Sequence, residues 1–361
     1  MSWSFPVSRR QSMSGSLMHR PRWWFGAVSA LVILLLGLVA PACTSEAEVG
    51  PATPGSLVVY SGRSESLLEP LIQKFKVATG IDIKVRYGGT AEMAATILEE
   101  GVNSPADVFF AQDPAGLGAI AKLFAPLPES ILEAVSPKYR SPGGVWVGLS
   151  GRARVAVYNT DKLSIEQLPD TIWGFTNPKW KGRLGWAPTN GSFQAMLTAM
   201  QLQWGEAKTS DWLLGIKANE PKAYSKNTAI VAAVGSGEIE IGFSNHYYLY
   251  RFLQEEGASF AARNYHFRES GPGGVVLVAG AGIVQTSQNR ENAVHFLDFL
   301  LSPIAQQYFA SQTYEYPVIK GVVINPLLTP LEEINAPDID MADLDDLEGT
   351  LALLREVGIL P

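Results

Sequence analysis

The stretch Gly242-Phe243-Ser244-Asn245-His246-Tyr247-Tyr248-Leu249-Tyr250 places two adjacent tyrosines where a strand gives way to a helix. Apolar residues alternate from Ile239 to Phe243 as in a short strand, and residues Tyr247 to Glu256 form a helical pattern. In open α/β sheets, ligands bind at the carboxyl ends of strands, where helix N-termini also offer N–H groups. Paired phenols at such a junction can chelate a hard cation once deprotonated. The pattern equally allows the three tyrosines to be packing residues of an amphipathic helix.

The residues upstream of this stretch alternate between strand and helix patterns. The predicted elements are strand 57–61, a helix stopped by Gly80, strand 81–85, a helix capped by Thr90 and closed by Gly101, and strand 106–110. This β-α-β-α-β order predicts an α/β fold with a mainly parallel sheet. The first and third strands end at Ser61-Gly62-Arg63-Ser64 and Ala111-Gln112-Asp113, which we expect on one edge of the sheet.

The second half of the chain continues the alternation. Further strands are predicted at 155–158, 183–186 and 275–279, and helices at 193–204, 289–300 and 303–309, with another opening at Lys226-Asn227-Thr228. An acid-rich stretch from Asp338 to Glu348 precedes a closing amphipathic helix. Its acids lack the glycine and terminal glutamate of an EF-hand loop, so a solvated surface is expected there rather than a calcium site.

The first 42 residues have the order of an export signal. They contain four arginines and no acid, then an apolar run from Trp23 to Val39, and end in Ala40-Pro41-Ala42. Cys43 follows directly and resembles the lipid-modified cysteine of bacterial lipoproteins. It is the only cysteine in the chain, so an intramolecular disulfide is excluded. An uncleaved membrane anchor is the alternative. Residues 43–56 are small, polar and rich in Pro and Gly, as in a flexible tether.

Charge and motifs narrow the classes of function. Removing residues 1–42 leaves 24 basic and 35 acidic side chains and a formal charge of −11, which disfavours a nucleic-acid partner. The chain has neither a Gly-x-Ser-x-Gly elbow nor a His-Glu-x-x-His motif. These absences argue against an extracytoplasmic enzyme.

Several short segments resemble one family when they are taken in order. They are Val59-Tyr60-Ser61-Gly62-Arg63, Ser104-Pro105-Ala106-Asp107-Val108-Phe109, Leu149-Ser150-Gly151-Arg152, Pro178-Lys179-Trp180-Lys181-Gly182, Thr189-Asn190-Gly191-Ser192-Phe193, Lys226-Asn227, Asn245-His246-Tyr247-Tyr248 and Glu315-Tyr316-Pro317. From about Leu57 to its end, the chain resembles the bacterial ferric-ion-binding proteins, the periplasmic substrate-binding components of iron(III) ABC transporters.

The resemblance implies a periplasmic-binding-protein-like fold, with two α/β lobes, an interlobe cleft and two hinge strands near Arg152–Tyr158 and Val275–Gly280. Closure around the ligand would be a hinge motion. The implied organisation is a signal at 1–42, a tether at 43–56, an N-terminal lobe at 57–151 plus 279–325, and a C-terminal lobe at 152–278 plus 326–361.

The resemblance also implies a metal site. Tyr247 and Tyr248 match the family's two tyrosines, whose phenolate oxygens bind Fe(III), and His246 is expected to be a hydrogen-bonding neighbour rather than a ligand. A bound phosphate or carbonate completes the family's coordination shell. The residues that match its anion-binding positions are Asn190, Gly191, Ser192, Asn227 and Asn245. Arg63 is assigned to the same anion because its guanidinium fork suits oxyanions, and Ser61 of the same segment is assigned with it.

Three positions depart from the family pattern. Ser64 stands where some relatives have a histidine ligand, Gln112 where many have a glutamate, and Phe193 where others add a third tyrosine. Asp113 and Tyr60 are the candidates for completing the metal shell, and Ser64 and Gln112 are expected, together with them, as additional cleft residues. Arg152 is expected either at the cleft or as a structural anchor of the hinge.

The resemblance therefore implies an extracytoplasmic lipoprotein, anchored through Cys43 on the outer face of the cytoplasmic membrane. It would be a monomer that binds Fe(III) with a synergistic anion and delivers it to an ABC permease and its ATPase. The alternative keeps the fold and replaces iron with an organic anion, such as a phosphonate or a sugar phosphate, or with another small solute.

Overall fold

The computed structural model describes residues 55–361 of the chain. The predicted signal at 1–42, Cys43 and nearly all of the tether lie outside the described residues. Between residues 55 and 361, no helix is both long and apolar enough to span a membrane.

Nine strands and eleven α-helices make up the described chain. The first group, in chain order, is β1 (Ser56–Ser61), α1 (Glu65–Thr79), β2 (Asp82–Tyr87), α2 (Thr90–Glu100), β3 (Val108–Ala111), α3 (Pro114–Ala119), α4 (Glu129–Glu133) and β4 (Val147–Asn159). The second is β5 (Leu184–Trp186), α5 (Gly191–Trp204), α6 (Glu206–Ala218), β6 (Lys222–Ala223), α7 (Asn227–Gly235), β7 (Ile241–Asn245) and α8 (Tyr247–Glu256). The last is β8 (Ala262–Tyr265), β9 (Val276–Ile283), α9 (Arg290–Leu301), α10 (Pro303–Gln312) and α11 (Leu347–Glu356).

The strands divide into two groups joined by β4 and β9. In the N-terminal lobe, β1 pairs in parallel with β2 and β3, and in the C-terminal lobe β5 pairs in parallel with β6 and β7. β4 pairs with β9 from Val147 to Ala153 and with β7 from Arg154 to Tyr158, so it passes from one group to the other. β9 runs from this crossing back to β3. The two-lobed α/β fold and its two hinge strands are thus confirmed.

The sheet is more mixed than the sequence predicts. Both hinge strands pair antiparallel with their neighbours, because the chain crosses between the lobes in opposite directions along β4 and β9. All 13 residues of β4 are buried, although two of them are arginines. The apolar run at 155–158 therefore identifies only the last third of a long strand.

Local signals place most helix ends well. Gly80 ends α1 in the left-handed conformation at φ 72°, which glycine adopts without a side-chain clash. The predicted cap Thr90 is wrong by one position: Gly89 precedes the helix and Thr90 is its first residue. The Thr90 hydroxyl instead accepts a hydrogen bond from the backbone N–H of Gln112 at 3.0 Å, which ties α2 to the end of β3.

The C-terminal tail contacts helices of both lobes. The 3₁₀ turn Met341–Leu344 packs on α3 and α5, and α11 lies against α5. Gly118 of α3 approaches Asp345 so closely that a methyl group added to Gly118 would lie 2.2 Å from the Asp345 Cβ. The assignment of residues 326–361 to the C-terminal lobe, like the other lobe boundaries, stays a prediction.

Candidate functional site

A cavity of about 940 Å³ lies between the two lobes. Its N-terminal wall is formed by the loop after β1, the turn before α2 and the residue that follows β3, and its C-terminal wall by the first residues of α5 and α7 and by α8. The predicted site residues that line it are Arg63, Ser64, Gln112, Asn190, Gly191 and Tyr248. The loop after β1 and the end of β3 therefore share one edge of the sheet, as parallel strands require.

The tyrosine pair lies where β7 meets α8. β7 is buried along its whole length and ends at Asn245, so the chain delivers Tyr247 and Tyr248 to the first turn of α8. Their rings stack with centroids 4.1 Å apart and planes inclined by 29°. Tyr247 is 0% exposed, and its hydroxyl has no hydrogen-bond partner among the described residues, whereas Tyr248 is half-buried and lines the cavity.

Burial and two nearby arginines act in opposite directions on the pKa of Tyr247. Burial raises the pKa of Tyr247 well above its ordinary value and the neighbouring Tyr248 raises it further, while the Arg63 and Arg152 guanidinium groups lower it. A buried hydroxyl without a partner costs about 1–3 kcal/mol. The phenol therefore keeps its proton until a stronger cation arrives, and binding a cation there would release that proton.

Two arginines on β4 lie behind the tyrosines. Arg152 and Arg154 are 0% exposed; an Nη1 of Arg152 donates to Ser192 Oγ at 3.3 Å and an Nη1 of Arg154 donates to Asn245 Oδ1 at 2.9 Å. The Nε and Nη2 groups of both arginines have no partner in the described part of the chain. Burial, and then the proximity of Arg152, lowers the pKa of Arg154 to about 9, so Arg154 remains cationic at neutral pH, and burial followed by the Arg63 charge lowers the pKa of Arg152. These groups can bind an oxyanion.

Ser192 connects the predicted anion-binding residues. Its hydroxyl oxygen accepts hydrogen bonds from Gln112 Nε2 at 2.8 Å and Asn245 Nδ2 at 3.1 Å, in addition to the one from Arg152. Gln112 belongs to the N-terminal lobe, so this contact crosses the floor of the cleft. The structure thus brings Ser192, Gln112 and Asn245 together.

Asn190 organises the N-terminus of α5. Its Oδ1 accepts a hydrogen bond from the Ser192 backbone N–H at 3.1 Å and another from Asn227 Nδ2 at 3.3 Å. Asn227 is 1% exposed, and its Oδ1 has no partner among residues 55–361. Gly191 lies between them, where a Cβ would lie 2.5 Å from Asp113 Oδ2. The absence of a side chain at Gly191 lets the two lobes approach here.

The loop after β1 presents Arg63 to the cleft. The Ser61 hydroxyl is used inside the loop, where it accepts from the Arg63 N–H at 3.0 Å and donates to the Arg63 carbonyl at 3.1 Å. Ser61 therefore shapes the loop and is not among the residues that line the cavity, whereas Ser64 is exposed and lines it. Burial alone would lower the pKa of Arg63, but the adjacent Glu315 carboxylate raises it overall.

The two remaining candidates occupy different places. Asp113 is 2% exposed at the floor of the cleft; its Oδ1 caps α3 by accepting from the Gly116 N–H at 3.1 Å, and its Oδ2 has no partner in the described chain. Burial raises the pKa of Asp113 despite the opposing charge of Arg152. Tyr60 is not brought to the cavity, because its hydroxyl donates to Glu100 Oε1 at 2.9 Å.

Within residues 55–361, histidine, cysteine and carboxylate side chains form no cluster of three that could hold a metal ion. His246 is engaged on both nitrogens: Nδ1 accepts from the Ala153 N–H at 3.1 Å and Nε2 donates to the Tyr314 carbonyl at 2.7 Å. Burial lowers the pKa of His246 to about 3, so it is a neutral hydrogen-bonding neighbour of the pair. A metal at this cleft would depend on the phenol oxygens.

Sequence reasoning left the role of Arg152 open and missed Arg154 and Glu315. The signal for the two arginines is their spacing at i and i+2 inside the apolar strand 147–159, which places both on one face. Glu315 lies inside a family-like segment, but its contact with Arg63 joins residues 252 positions apart, which no local pattern encodes.

Comparison with known families gives a match over most of this chain. Residues 92–343 match the family of bacterial extracellular solute-binding proteins. The Fe(3+)-binding periplasmic protein of Serratia marcescens is 34% identical over 308 residues, covering 84% of this chain and 90% of that protein.

Among the solved structures with a similar fold, two are also similar to the chain in sequence. Iron-bound HitA from Pseudomonas aeruginosa has a TM-score of 0.81 and 34% identity, with 84% of this chain and all of that chain covered. The Trichodesmium protein in complex with iron and citrate ligands has a TM-score of 0.72 and 29% identity, with 84% and 99% covered.

Proposed function

This chain belongs to the bacterial extracellular solute-binding proteins and is a homologue of ferric iron-binding proteins, and from that premise we propose that it is the ferric iron receptor of an ABC importer. The protein binds Fe(III) in the cleft between its lobes and delivers it to a membrane permease and its ATPase. It acts by binding and release, without a chemical reaction on the cargo.

The buried, partnerless hydroxyl of Tyr247 carries this proposal. The Tyr247 ring stacks on that of Tyr248, which lines the cavity, and the charges of Arg63 and Arg152 act on it, so two phenol groups lie side by side next to the cleft. Phenolate is a hard oxygen donor, and hard donors suit a trivalent cation. An iron ion would recover the energy lost by leaving this hydroxyl without a partner.

An anion completes the site in this proposal. Arg63, Arg152 and Arg154 are all buried, and Arg63 lines the cavity. The buried carboxyls near them are Glu315 and Asp113, and the pKa of Asp113 is raised. This surplus of positive charge, together with the N-terminus of α5, favours phosphate or carbonate beside the iron. Citrate, which accompanies iron in the Trichodesmium structure, is also an oxyanion, through its carboxylate groups.

Ser64 and Gln112 are the proposed additional contacts to the bound cargo, because both line the cavity opposite Tyr248. Asn190, Gly191, Ser192, Asn227 and Asn245 surround the proposed anion position. Asp113 lies at the floor and is retained as a candidate for the metal shell, whereas the position of Tyr60 offers no support for its candidacy.

We further propose that Cys43 carries a lipid that anchors a monomeric protein on the outer face of the cytoplasmic membrane. The support is the order of basic, apolar and small residues before Cys43 in the sequence. A Cys43→Ser variant should then leave the membrane fraction and appear in the soluble extract. Its retention in the membrane would identify residues 23–39 as an uncleaved anchor.

An organic oxyanion is the second candidate cargo. The observation that favours it is a cavity of about 940 Å³ that is lined by Arg63 and Arg251 and offers more room than one metal ion needs. A phosphonate or a sugar phosphate would then bind the residues assigned here to the anion, and the tyrosines would pack against it.

Retention of metal distinguishes the two cargoes. The purified metal-free protein is incubated with ferric citrate, desalted and analysed for iron, and in parallel its thermal unfolding is followed with phosphonates and sugar phosphates. One retained iron per protein supports the iron receptor. No retained iron, with a rise in melting temperature on adding an organic phosphate, would replace it by the second candidate.

A further inference from the structure

The segment Thr313–Tyr316, which follows α10, lies between the hinge and the tyrosine pair. Tyr316 and Gly151 of β4 exchange two backbone hydrogen bonds of 2.7 and 2.8 Å. Tyr314 has φ 57°, in the left-handed region that residues other than glycine rarely adopt. Such a conformation persists only where the surrounding structure fixes it, and it is typical of functional segments.

Glu315 in this segment joins two residues of the N-terminal lobe. Its carboxylate is 0% exposed and accepts hydrogen bonds from Arg63 Nη2 through one oxygen and from the Ser150 hydroxyl through the other. Both members of the ion pair are thus buried, and removal of either one would leave an uncompensated charge in the interior.

The other side of the segment contacts the residue before the tyrosine pair. The Tyr314 carbonyl accepts from His246 Nε2 at 2.7 Å, and the His246 ring stacks on Tyr316 with centroids 4.8 Å apart. Since His246 directly precedes Tyr247, one short segment sets both the place of Arg63 and the place where α8 begins.

Arg63 lines the same cavity as Tyr248, whose ring stacks on that of Tyr247. A cation in this position would repel an incoming metal ion if nothing balanced it. Arg152 and Arg154 have no salt bridge to a carboxylate among the described residues, so these two arginines differ from Arg63 in their compensation.

We propose that Glu315 is a positioning residue that holds Arg63 at the cleft and cancels its charge toward the metal ion. Arg152 and Arg154, which lack a paired carboxylate, are left to attract the anion. This inference rests on the proposed binding of iron. It assigns a role to a residue that contacts neither the metal nor the anion directly.

Glu315→Gln tests this role, because the amide keeps the size of the side chain and removes only its charge. Iron affinity is measured by competition with nitrilotriacetate, and inorganic phosphate binding to the metal-free protein by calorimetry. We expect iron to bind about 10-fold or more weakly and phosphate about 3-fold or more tightly, because an unbalanced positive charge repels one and attracts the other. Glu315→Asp should recover part of the iron affinity.

A matched control is available away from the cleft. Glu240 pairs with Arg183 at the opposite end of β5 and β7, so Glu240→Gln removes the same type of charge from an Arg–Glu pair and should change neither affinity. If Glu315→Gln weakens iron and phosphate together, or lowers only thermal stability, Glu315 has a purely structural role and the proposal is overturned.

A second variant keeps the test decisive if Glu315→Gln does not fold. Arg63→Gln combined with Glu315→Gln removes both charges, so it should bind phosphate more tightly than Arg63→Gln alone, in which the Glu315 charge is left unbalanced. Equal phosphate affinity in these two folded variants would contradict charge cancellation. Failure of the wild type to bind iron, with tighter phosphate binding in Glu315→Gln, would overturn the proposed cargo while supporting the electrostatic role of Glu315.

Discussion

On the C-terminal wall of the cleft, two stacked phenols, a serine and three asparagines converge within a few residues of helix N-termini, and most of them are buried. On the N-terminal wall, the loop after β1 and the end of β3 offer an arginine already paired with Glu315, an exposed serine and a glutamine. The first wall has the donors for a metal ion and an anion. The second has charge and cross-cleft hydrogen bonds.

This difference indicates a division of labour between the lobes. Tyr247 and Ser192 belong to the C-terminal wall and are held in place by the end of β7 and the start of α5. That wall should therefore determine most of the affinity for iron. Gln112, on the N-terminal wall, reaches across to Ser192 and should contribute mainly to closure. Mutations on the two walls should therefore differ in magnitude.

The largest effect is expected at the tyrosines. Tyr247→Phe and Tyr248→Phe should each weaken iron binding by more than about 100-fold, since loss of groups around metal ligands alone costs about 10–100-fold. Tyr247→Phe should also raise the melting temperature of the metal-free protein, because it removes a buried hydroxyl without a partner. Tyr248, which is half-buried, should show no such gain. Chelator competition and thermal unfolding measure both effects. Unchanged iron affinity in both variants would contradict the proposal that the C-terminal wall provides the metal donors.

A smaller effect is expected at Ser192. Ser192→Ala leaves the side-chain donors of Arg152, Gln112 and Asn245 without their shared acceptor. We expect the free energy of unfolding to fall by about 1–3 kcal/mol and phosphate binding to weaken about 10-fold. Urea unfolding and calorimetry provide the two values; equal phosphate binding in the variant would exclude the N-terminus of α5 as the anion site.

The N-terminal wall should respond more weakly still. Gln112→Ala removes a hydrogen bond that crosses the cleft, and a net contribution of about 0.5–1.5 kcal/mol corresponds to a loss of about 2- to 10-fold in iron affinity. Small-angle scattering should show a larger fraction of open molecules at limiting iron. A loss as large as that of Tyr247→Phe would make Gln112 a metal ligand and erase the contrast between the walls.

The smallest effect on iron affinity is expected from His266, which bears on acid stability in the C-terminal lobe and does not line the cavity. Burial lowers the pKa of His266 to about 4, so the unfolded chain binds a proton more readily than the folded protein between about pH 6.5 and 4. The stability contributed by neutral His266 is present above pH 6.5 and is lost as the pH falls toward 4, by at most about 1.4 kcal/mol per pH unit. Urea unfolding of His266→Gln and wild type across this range should show a flatter acid slope in the variant. Identical slopes would contradict the prediction.

The sequence predicts the fold and the tyrosine junction well, because their signals are local. α8 begins at Tyr247 and ends at Glu256 as its pattern predicts, and the strand ends at Ser64 and Gln112 reach one cavity. The antiparallel pairing of β3 with β9 could not be predicted, since it depends on how the hinge strands cross.

Residue roles at the site are less predictable for the same physical reason. Ser61 turns its hydroxyl into its own loop, and the Tyr60 hydroxyl is taken by Glu100. Glu315 reaches Arg63 only through the tertiary fold. Long-range contacts of this kind determine which polar side chains remain available to a ligand, and no periodicity in the sequence records them.

The most direct test of iron binding through the tyrosine pair is a visible absorption titration of the metal-free protein with ferric citrate at neutral pH. We predict a broad tyrosinate-to-iron charge-transfer band that saturates near one iron per protein and is lost or shifted in Tyr247→Phe and Tyr248→Phe. Absence of the band in the wild type, with thermal stabilisation by a phosphonate or a sugar phosphate instead, would contradict it and leave the fold with a different cargo.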